Sequence, residues 1–416
     1  MNQIRSIKGT HDILPSESIK WHHLEKIIHE VCSQFGYKEI RTPVFEETRL
    51  FSRSVGEDTD IVSKEMYNWE DQNGTSLTLR PELTASVVRS YIQNNLGAQA
   101  PIQRLYYLGP LFRRERPQKG RQRQFHQFGV EALGSPHPEQ DSEIIALAWH
   151  ILTQLGLLDG LELHINSIGS HQCRLNYRES LIEFLHPHLD QLSETSQKRF
   201  LVNPLRILDT KLEHEKKILQ EAPAISSSYT EDDKKHFDSV QFLLDSMDIP
   251  FTINSNLVRG LDYYTRTTFE ITTGTLGAQN ALLGGGRYDK LVEILGGKPT
   301  PAIGFAAGME RFLIALESIE KTMSDPGPDI YFICLEEEGL HIALSLCQKL
   351  RKGGKIVVMD SLRRSLKAQL REANKSNAEY ALILGINEIK TNSIVIKNLI
   401  KGKQFVVKQT SMMENF

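Results

Sequence analysis

Apolar side chains recur every three or four residues from Ser16 to Phe35, at Trp21, Leu24, Ile28, Val31 and Phe35. That spacing predicts an amphipathic helix, with Gly36 as its stop. Tyr37 to Pro43 then reads as a strand ending at a proline. Met66–Trp69 and Ser76–Leu79 flank Asn73-Gly74, the signal of a hairpin. Pro81 opens a predicted helix that continues from Glu82 to Ile92. Gln103–Leu108 and Gln124–Glu131 are expected strands joined by a long polar loop. Ser142–Leu155 is an expected helix and Leu161–Ile165 an expected strand.

From about Gly169 to Asp248 the pattern is charged, helical and nearly free of strand signals, which predicts a helical insertion at about 169–248. Strand-like, glycine-rich segments return from Phe251 to Glu310. Ser324-Asp-Pro-Gly-Pro328 reads as a linker. Beyond it, strands Ile330–Leu335, Lys355–Met359 and Tyr380–Leu384 alternate with helices Leu340–Lys352 and Ser365–Lys375, the rhythm of a small α/β domain. The expected division is 1–323, a linker at 324–328, and 329–416. A chain of 416 residues is too long for one core, since single cores stop growing near ~250–300 residues.

Composition narrows the class without naming it. Net charge is -3, so nucleic acid could be bound only through local basic patches. The four cysteines, Cys32, Cys173, Cys334 and Cys347, form no CxxC pair and predict neither a disulfide framework nor a zinc ribbon; free thiols fit a reducing cytoplasm. No run of ~18 apolar residues predicts a membrane span, and the first residues lack the apolar core of a signal peptide.

Four segments carry candidate chemistry. In Arg113-Arg-Glu-Arg-Pro-Gln-Lys-Gly-Arg-Gln-Arg123, six of eleven residues are basic, and Pro117 with Gly120 excludes a helix. Gln124-Phe-His-Gln-Phe-Gly-Val-Glu131 follows. Guanidinium forks suit phosphate oxygens and the Phe125 ring suits a purine, but a solvated RNA-contacting loop fits as well. Leu257 to Glu270 sets Arg259 and Asp262 beside Tyr263 and Tyr264. This is either the wall of a polar pocket or a turn with structural tyrosines. Gly284-Gly-Gly286 admits close backbone approach to a ligand, though a tight turn is the commoner cause. Ala302 to Arg311 offers Gly304 and Gly308 for close strand–helix packing and Arg311 for a phosphate. Gly296-Gly-Lys-Pro299 is not a P-loop, and His171-Gln-Cys173 and His186-Pro-His188 are too isolated to predict zinc.

Taken in order, Arg80-Pro-Glu82 with Thr84, Phe112-Arg113 to Phe125, Leu257 to Glu270, Gly284 to Asp289 and Gly304 to Arg311 resemble the motifs of class II aminoacyl-tRNA synthetases. Arg259-Gly-Leu-Asp-Tyr-Tyr-Thr-Arg266 is similar to the signature of the histidyl-tRNA synthetase family in particular. Lys8 to Pro15, Asn203 to Asp209 and Ser365 to Gly385 resemble that family too.

The resemblance implies an α+β catalytic domain on an antiparallel sheet with a helical insertion, then a small α/β anticodon-binding domain, in a cytoplasmic homodimer. It implies ATP and Mg²⁺, L-histidine and histidine tRNA as substrates and partners. It places Arg113 and Arg259 at the α-phosphate; Arg311 at the γ-phosphate with Arg121 nearby; and Phe125 and Glu115 on adenine. Glu82, Thr84 and Gln127, with Leu83 beside them, are implied at the α-ammonium. Glu131 and Tyr264 are implied at the imidazole, with Tyr263 and Tyr288 lining the pocket. Arg116 and Gln118 are implied at the tRNA acceptor end. No protein metal site is implied. Competing readings are a regulatory subunit of histidine biosynthesis without aminoacylation activity, a synthetase for proline or threonine, and a tRNA-sensing module. Intact Arg259, Tyr263 and Tyr264 with the C-terminal domain argue against the first, the Leu257-to-Glu270 tract against the second, and intact Arg113, Arg259 and Arg311 against the third.

Overall fold

The computed structural model describes residues 3–56, 59, 61–117, 121–210, 212–257, 263–274, 280–318 and 327–416. Helix α1 (Pro15–Gln34) starts on a proline and buries Trp21, Leu24, Ile27, Ile28, Val31 and Cys32. The extended segment after it is a regular strand only over β1 (Lys38–Glu39). Beyond β1 the carbonyls of Thr42 and Pro43 accept from the buried Arg80 guanidinium, at 2.8 and 3.2 Å, instead of joining a strand ladder. The predicted hairpin forms: β3 (Tyr67–Glu70) and β4 (Ser76–Leu79) join β2 (Phe45–Glu47), which helix α2 (Thr48–Val55) follows, in an antiparallel sheet ordered β2-β4-β3. Helix α3 (Thr84–Gln93) begins later than predicted, because the Glu82 carboxylate stays outside it and accepts from the Ala85 N–H at 2.9 Å.

Strands β5 (Gln103–Phe112) and β6 (Gln124–Leu133) pair from Gln103↔Leu133 to Phe112↔Gln124, longer than expected from the pattern. Pro110 fits within β5 because β1 pairs with its other edge only at Leu105 and Tyr106. Helix α4 (Pro138–Leu155) and β7 (Leu161–Ser167) follow. The stretch 169–248 carries α5 (His171–Leu185), α6 (Glu194–Val202), α7 (Glu213–Leu219) and α8 (Glu231–Ser246), with no strand among its described residues. Its last helix is not peripheral: Phe237, Val240 and Leu244 of α8 enter the main core. Then come β8 (Thr252–Ile253), β9 (Thr265–Thr273), β10 (Ala281–Arg287), α9 (Leu291–Ile294), β11 (Ala302–Gly308) and α10 (Met309–Ser318).

These strands build one sheet ordered β1-β5-β6-β11-β10-β9-β7-β8. Its six central strands are antiparallel, and the two-residue strands at each edge run parallel to their neighbours. Alternation gives the sheet two unlike faces. Phe128, Val130, Ile165, Phe269, Ile303 and Phe305 share a core with residues of α1, α4, α8 and α10. The opposite face carries Tyr107, Gly129, Glu131 and Gly304.

The chain divides into two compact units, Met1–Lys321 and Thr322–Phe416. The second contains β12 (Ile330–Cys334), α11 (Leu340–Lys352), β13 (Val357–Met359), α12 (Leu366–Lys375), β14 (Tyr380–Leu384), α13 (Ile386–Lys390), β15 (Ser393–Asn398) and β16 (Gln404–Lys408), in a sheet ordered β13-β12-β14-β15-β16. The three strands read from the pattern are parallel, and β15 and β16 extend the sheet antiparallel. No described helix is long and apolar enough to cross a membrane.

Candidate active site

On β6 the residues facing away from the core are Phe125, Gln127, Gly129 and Glu131. Their cross-strand partners on β11 are Gly308, Ala306 and Gly304, opposite Gln127, Gly129 and Glu131. On β10, Gly284 lies opposite Ala306 and Gly286 opposite Gly304. A floor of glycine and alanine over three strands leaves a cavity of about 310 Å³. Its wall includes Glu82, Leu83, Thr84, Arg113, Glu115, Arg121, Phe125, Gln127, Glu131, Tyr263, Tyr264, Tyr288 and Arg311. Arg116 is exposed and lies outside the described wall; Gln118 and Arg259 lie outside the described residues.

One group of wall residues is acidic and phenolic. Glu131 is buried, and its carboxylate accepts from Thr84 Oγ1 at 2.8 Å, from the Tyr107 hydroxyl at 3.1 Å and from the Tyr288 hydroxyl. Burial pushes the Glu131 carboxyl up to about 8 against the pull of those hydroxyls. Burial likewise pushes Glu82 up to about 7, although the amides of Ala85 and Thr84 and the charge of Arg113 favour its ionised form. Tyr263 packs against Tyr264 and Tyr288, with ring centroids 4.8 and 5.6 Å away. Two buried carboxyls held partly protonated, ringed by phenols, make a receptor for a cationic, hydrogen-bonding ligand.

The other group is cationic. Burial lowers the pKa of both Arg113 and Arg311, and Arg121 lowers each further by like-charge repulsion. Glu115, 3.0 Å from Arg121 and 3.8 Å from Arg113, offsets part of this charge. Arg113 is aimed by its Nε–H on the Pro81 carbonyl at 3.0 Å and by the Phe125 ring, 5.3 Å from its guanidinium carbon. Arg311 is aimed by the Ala281 carbonyl at 2.6 Å. Three guanidiniums, with Glu115 among them and Glu270 acting on Arg311, form a polyanion site beside an aromatic face.

Glycines supply the space. A Cβ on Gly304 would lie 1.8 Å from Glu131 Oε2, and one on Gly129 would lie 2.3 Å from the Tyr107 hydroxyl. Gly304, expected to serve strand–helix packing, instead makes room for the carboxylate. The three glycines 284–286 form no tight turn but lie within β10. Gly285 is required there: its Cβ would lie 2.2 Å from the Gly304 carbonyl oxygen and 2.6 Å from Phe305 Cβ.

Pattern reading did not single out Tyr107 or Glu310. Tyr107 sits in an ordinary strand pattern, but its register opposite Gly129 puts it on the cavity face. Glu310 lines the cavity and accepts from the His126 backbone N–H at 2.8 Å. Among the described residues no group of three His, Cys, Asp or Glu side chains is placed to hold a metal ion.

The raised carboxyls give a pH signature. Between about 4.5 and 8 the folded protein holds a proton at Glu131 that the unfolded chain releases, so stability falls as pH rises through that window and levels off above it. Glu131→Gln removes the ionisation and keeps the shape. Its ligand-free melting temperature is expected to exceed that of the wild type by a few degrees at pH 8.5 and to match it near pH 5. Melting curves at both pH values check this, and identical slopes for the two proteins would contradict it.

A family profile described as "Histidyl-tRNA synthetase" matches residues 9–312, and one described as "Anticodon binding domain" matches residues 329–416. The chain is 47% identical to a histidine--tRNA ligase of Listeria monocytogenes over 98% of this chain and 96% of that one. It is 48% identical to a histidine--tRNA ligase of Crocosphaera subtropica over 99% and 95%. The apo histidyl-tRNA synthetase of S. aureus superposes with a TM-score of 0.85 at 36% identity, covering 100% of both chains. This chain belongs to the histidyl-tRNA synthetase family.

Proposed function

We propose that the protein attaches L-histidine to its tRNA in two steps, ATP-dependent formation of histidyl-adenylate and then transfer to the tRNA 3′ end. The observation that carries this reading is one cavity with a carboxyl–phenol receptor and a guanidinium cluster set along a single strand face from Glu131 to Phe125. The six residue steps from Phe125 to Glu131 span roughly 20 Å, the scale of an amino acid joined to an adenosine phosphate.

In the first step the histidine carboxylate attacks the α-phosphate of ATP, the phosphoanhydride bond to the β-phosphate breaks, and pyrophosphate leaves. Two anions must meet, so positioning and preorganised positive charge are the catalyst required. Arg113 takes the α-phosphate, with Arg259 on the histidine side, and Arg311 and Arg121 hold the outer phosphates. Phe125 stacks on adenine and Glu115 accepts from its amino group. ATP would enter as its Mg²⁺ complex, the metal supplying further neutralisation of the phosphate charge.

The α-ammonium group sits among Glu82, Thr84 and Gln127, beside Leu83. Its charge favours ionised Glu82, so binding expels protons from the cavity. Glu131 and Tyr264 bond the two imidazole nitrogens, flanked by Tyr263 and Tyr288. An amino acid that leaves those buried groups unpaired is rejected by factors of roughly 10⁴ in favourable cases. In the second step the terminal ribose hydroxyl of the tRNA attacks the adenylate carbonyl and AMP leaves. Arg116 and Gln118 meet the acceptor end, and residues 329–416 bind the anticodon. We further propose that the protein is a cytoplasmic homodimer; its four cysteines are free thiols, as a reducing compartment would keep them.

Pyrophosphate exchange into ATP, run with each amino acid in turn, is the test. Histidine alone is expected to support it. Exchange with proline or threonine, or none with any amino acid, would overturn the reading.

A further inference from the structure

The two ends of the helical stretch 169–248 meet at one short piece of chain, Tyr264 to Arg266, where the tyrosine segment of the pocket enters β9. Arg174, on the first helix of that stretch, donates through Nη1 to the Tyr264 carbonyl at 2.6 Å. Arg266 is gripped by the last helix: Nη2 lies 2.8 Å from Asp232, Nε lies 3.4 Å from Asp233, and Nη1 lies 3.3 Å from His236 Nδ1. Its backbone pairs at both ends with the start of the stretch, N–H to the Gly169 carbonyl and carbonyl to the Ile168 N–H, each at 2.8 Å.

Arg266 has φ 49°, in the left-handed region that a non-glycine residue enters at a cost. Such a conformation persists only where its surroundings over-determine it. Asp233 supplies much of that constraint, since it also accepts from the Ser170 N–H at 3.0 Å and Ser170 Oγ at 2.9 Å, joining the starts of α5 and α8. Neither Arg174 nor Arg266 lines the cavity. None of the contacts named above involves Arg113, Arg121 or Arg311.

We infer that Arg174 and Arg266 are positioning residues that couple the seating of the helical insertion to Tyr264, and so set histidine affinity without setting ATP affinity. This rests on the reading that Tyr264 belongs to the histidine pocket. In the structure, the insertion holds the Tyr264 carbonyl from one side and the residue two places on from the other. Displacement of the insertion, by tRNA or by mutation, therefore moves the histidine end of the site before the ATP end.

The test uses full-length Arg174→Met, which keeps the aliphatic stem and removes the donor, and Arg174→Lys, which restores one charged donor. Pyrophosphate exchange gives KM for histidine and for ATP separately, and melting temperature monitors the fold. Arg174→Met is expected to raise the histidine KM about 10-fold, the effect of one lost charged hydrogen bond, with the ATP KM within twofold of wild type. Arg174→Lys is expected to recover most of the loss. Arg266→Asn, which tolerates the left-handed backbone, is expected to show the same split. Parallel increases in both KM values, a histidine KM unchanged in the variants, or no rescue by lysine would overturn the coupling. Wild-type protein that shows no histidine-dependent exchange would instead sink the assignment of the pocket.

Discussion

Arg113→Gln is expected to slow histidine-dependent pyrophosphate exchange by about 10²–10³-fold, the loss typical when one preorganised charge donor is removed from a developing oxyanion. Arg113 is held by two contacts. Its Nε–H is committed to the Pro81 carbonyl and its flat face to Phe125, so the guanidinium is aimed before substrate arrives. Burial, the largest cause, and Arg121 disfavour its charge, Glu115 offsets part of this, and a phosphate there meets a poorly solvated cation. Glutamine keeps a donor and similar length but no charge. The melting temperature is expected to stay within a few degrees of wild type, because removal of one of three crowded guanidiniums also removes repulsion. The histidine KM is expected to rise less than exchange slows: Arg113 favours the ionised Glu82 placed at the α-ammonium, but Glu131 keeps its bonds from Thr84 and Tyr288. Near-wild-type exchange by a folded variant would remove Arg113 from the chemistry.

Much of this site is legible in the sequence because its chemistry needs rare residue combinations. A loop with six basic residues, broken by Pro117 and Gly120, has few structural reasons to exist. Arg113 and Arg121 reach the cavity because they lie beside the paired ends of β5 and β6. Residues whose role comes from register are harder to read. Tyr107 looks like any strand tyrosine; only its place opposite Gly129 directs its hydroxyl to Glu131. The three glycines 284–286 suggest a turn by local preference, yet the approach of Gly304 and Phe305 keeps them in a strand. Helix boundaries shift for a similar reason. Glu82 reads as the first turn of α3, but a carboxylate that faces the cavity and takes the Ala85 N–H holds the helix start back. The end of the insertion is blurred for the opposite reason: α8 is amphipathic like its neighbours, and only packing shows that it belongs with α4.

Arg287→Met is expected to destabilise the first unit by about 3–5 kcal/mol, the usual cost of leaving a buried charge without its partner. Arg287 and Asp141 are both fully buried, and the guanidinium donates to Asp141 from Nε at 3.1 Å and from Nη2. It also donates to the carbonyls of Ser135 at 2.8 Å and His137 at 3.2 Å, and to Asp289 at 3.0 Å. Burial alone would raise the Asp141 carboxyl; Arg287 and the His236 hydrogen bond override it and hold that carboxyl below its usual range. Methionine fills similar volume but leaves Asp141 to His236 at 2.8 Å and the Thr267 hydroxyl at 2.6 Å. A fall in melting temperature of roughly 5–15 °C is the expected readout. The double variant Asp141→Asn with Arg287→Met should recover part of it, since it removes the orphaned charge as well. A single variant that melts with the wild type would show that the pair carries no net stability. The same change reaches the chemistry through one bond of chain. Arg287 fixes the end of β10, and the next residue, Tyr288, gives its hydroxyl to Glu131. Variants that remain folded at assay temperature are therefore expected to lose histidine affinity more than ATP affinity, which separate KM measurements in the exchange assay will check.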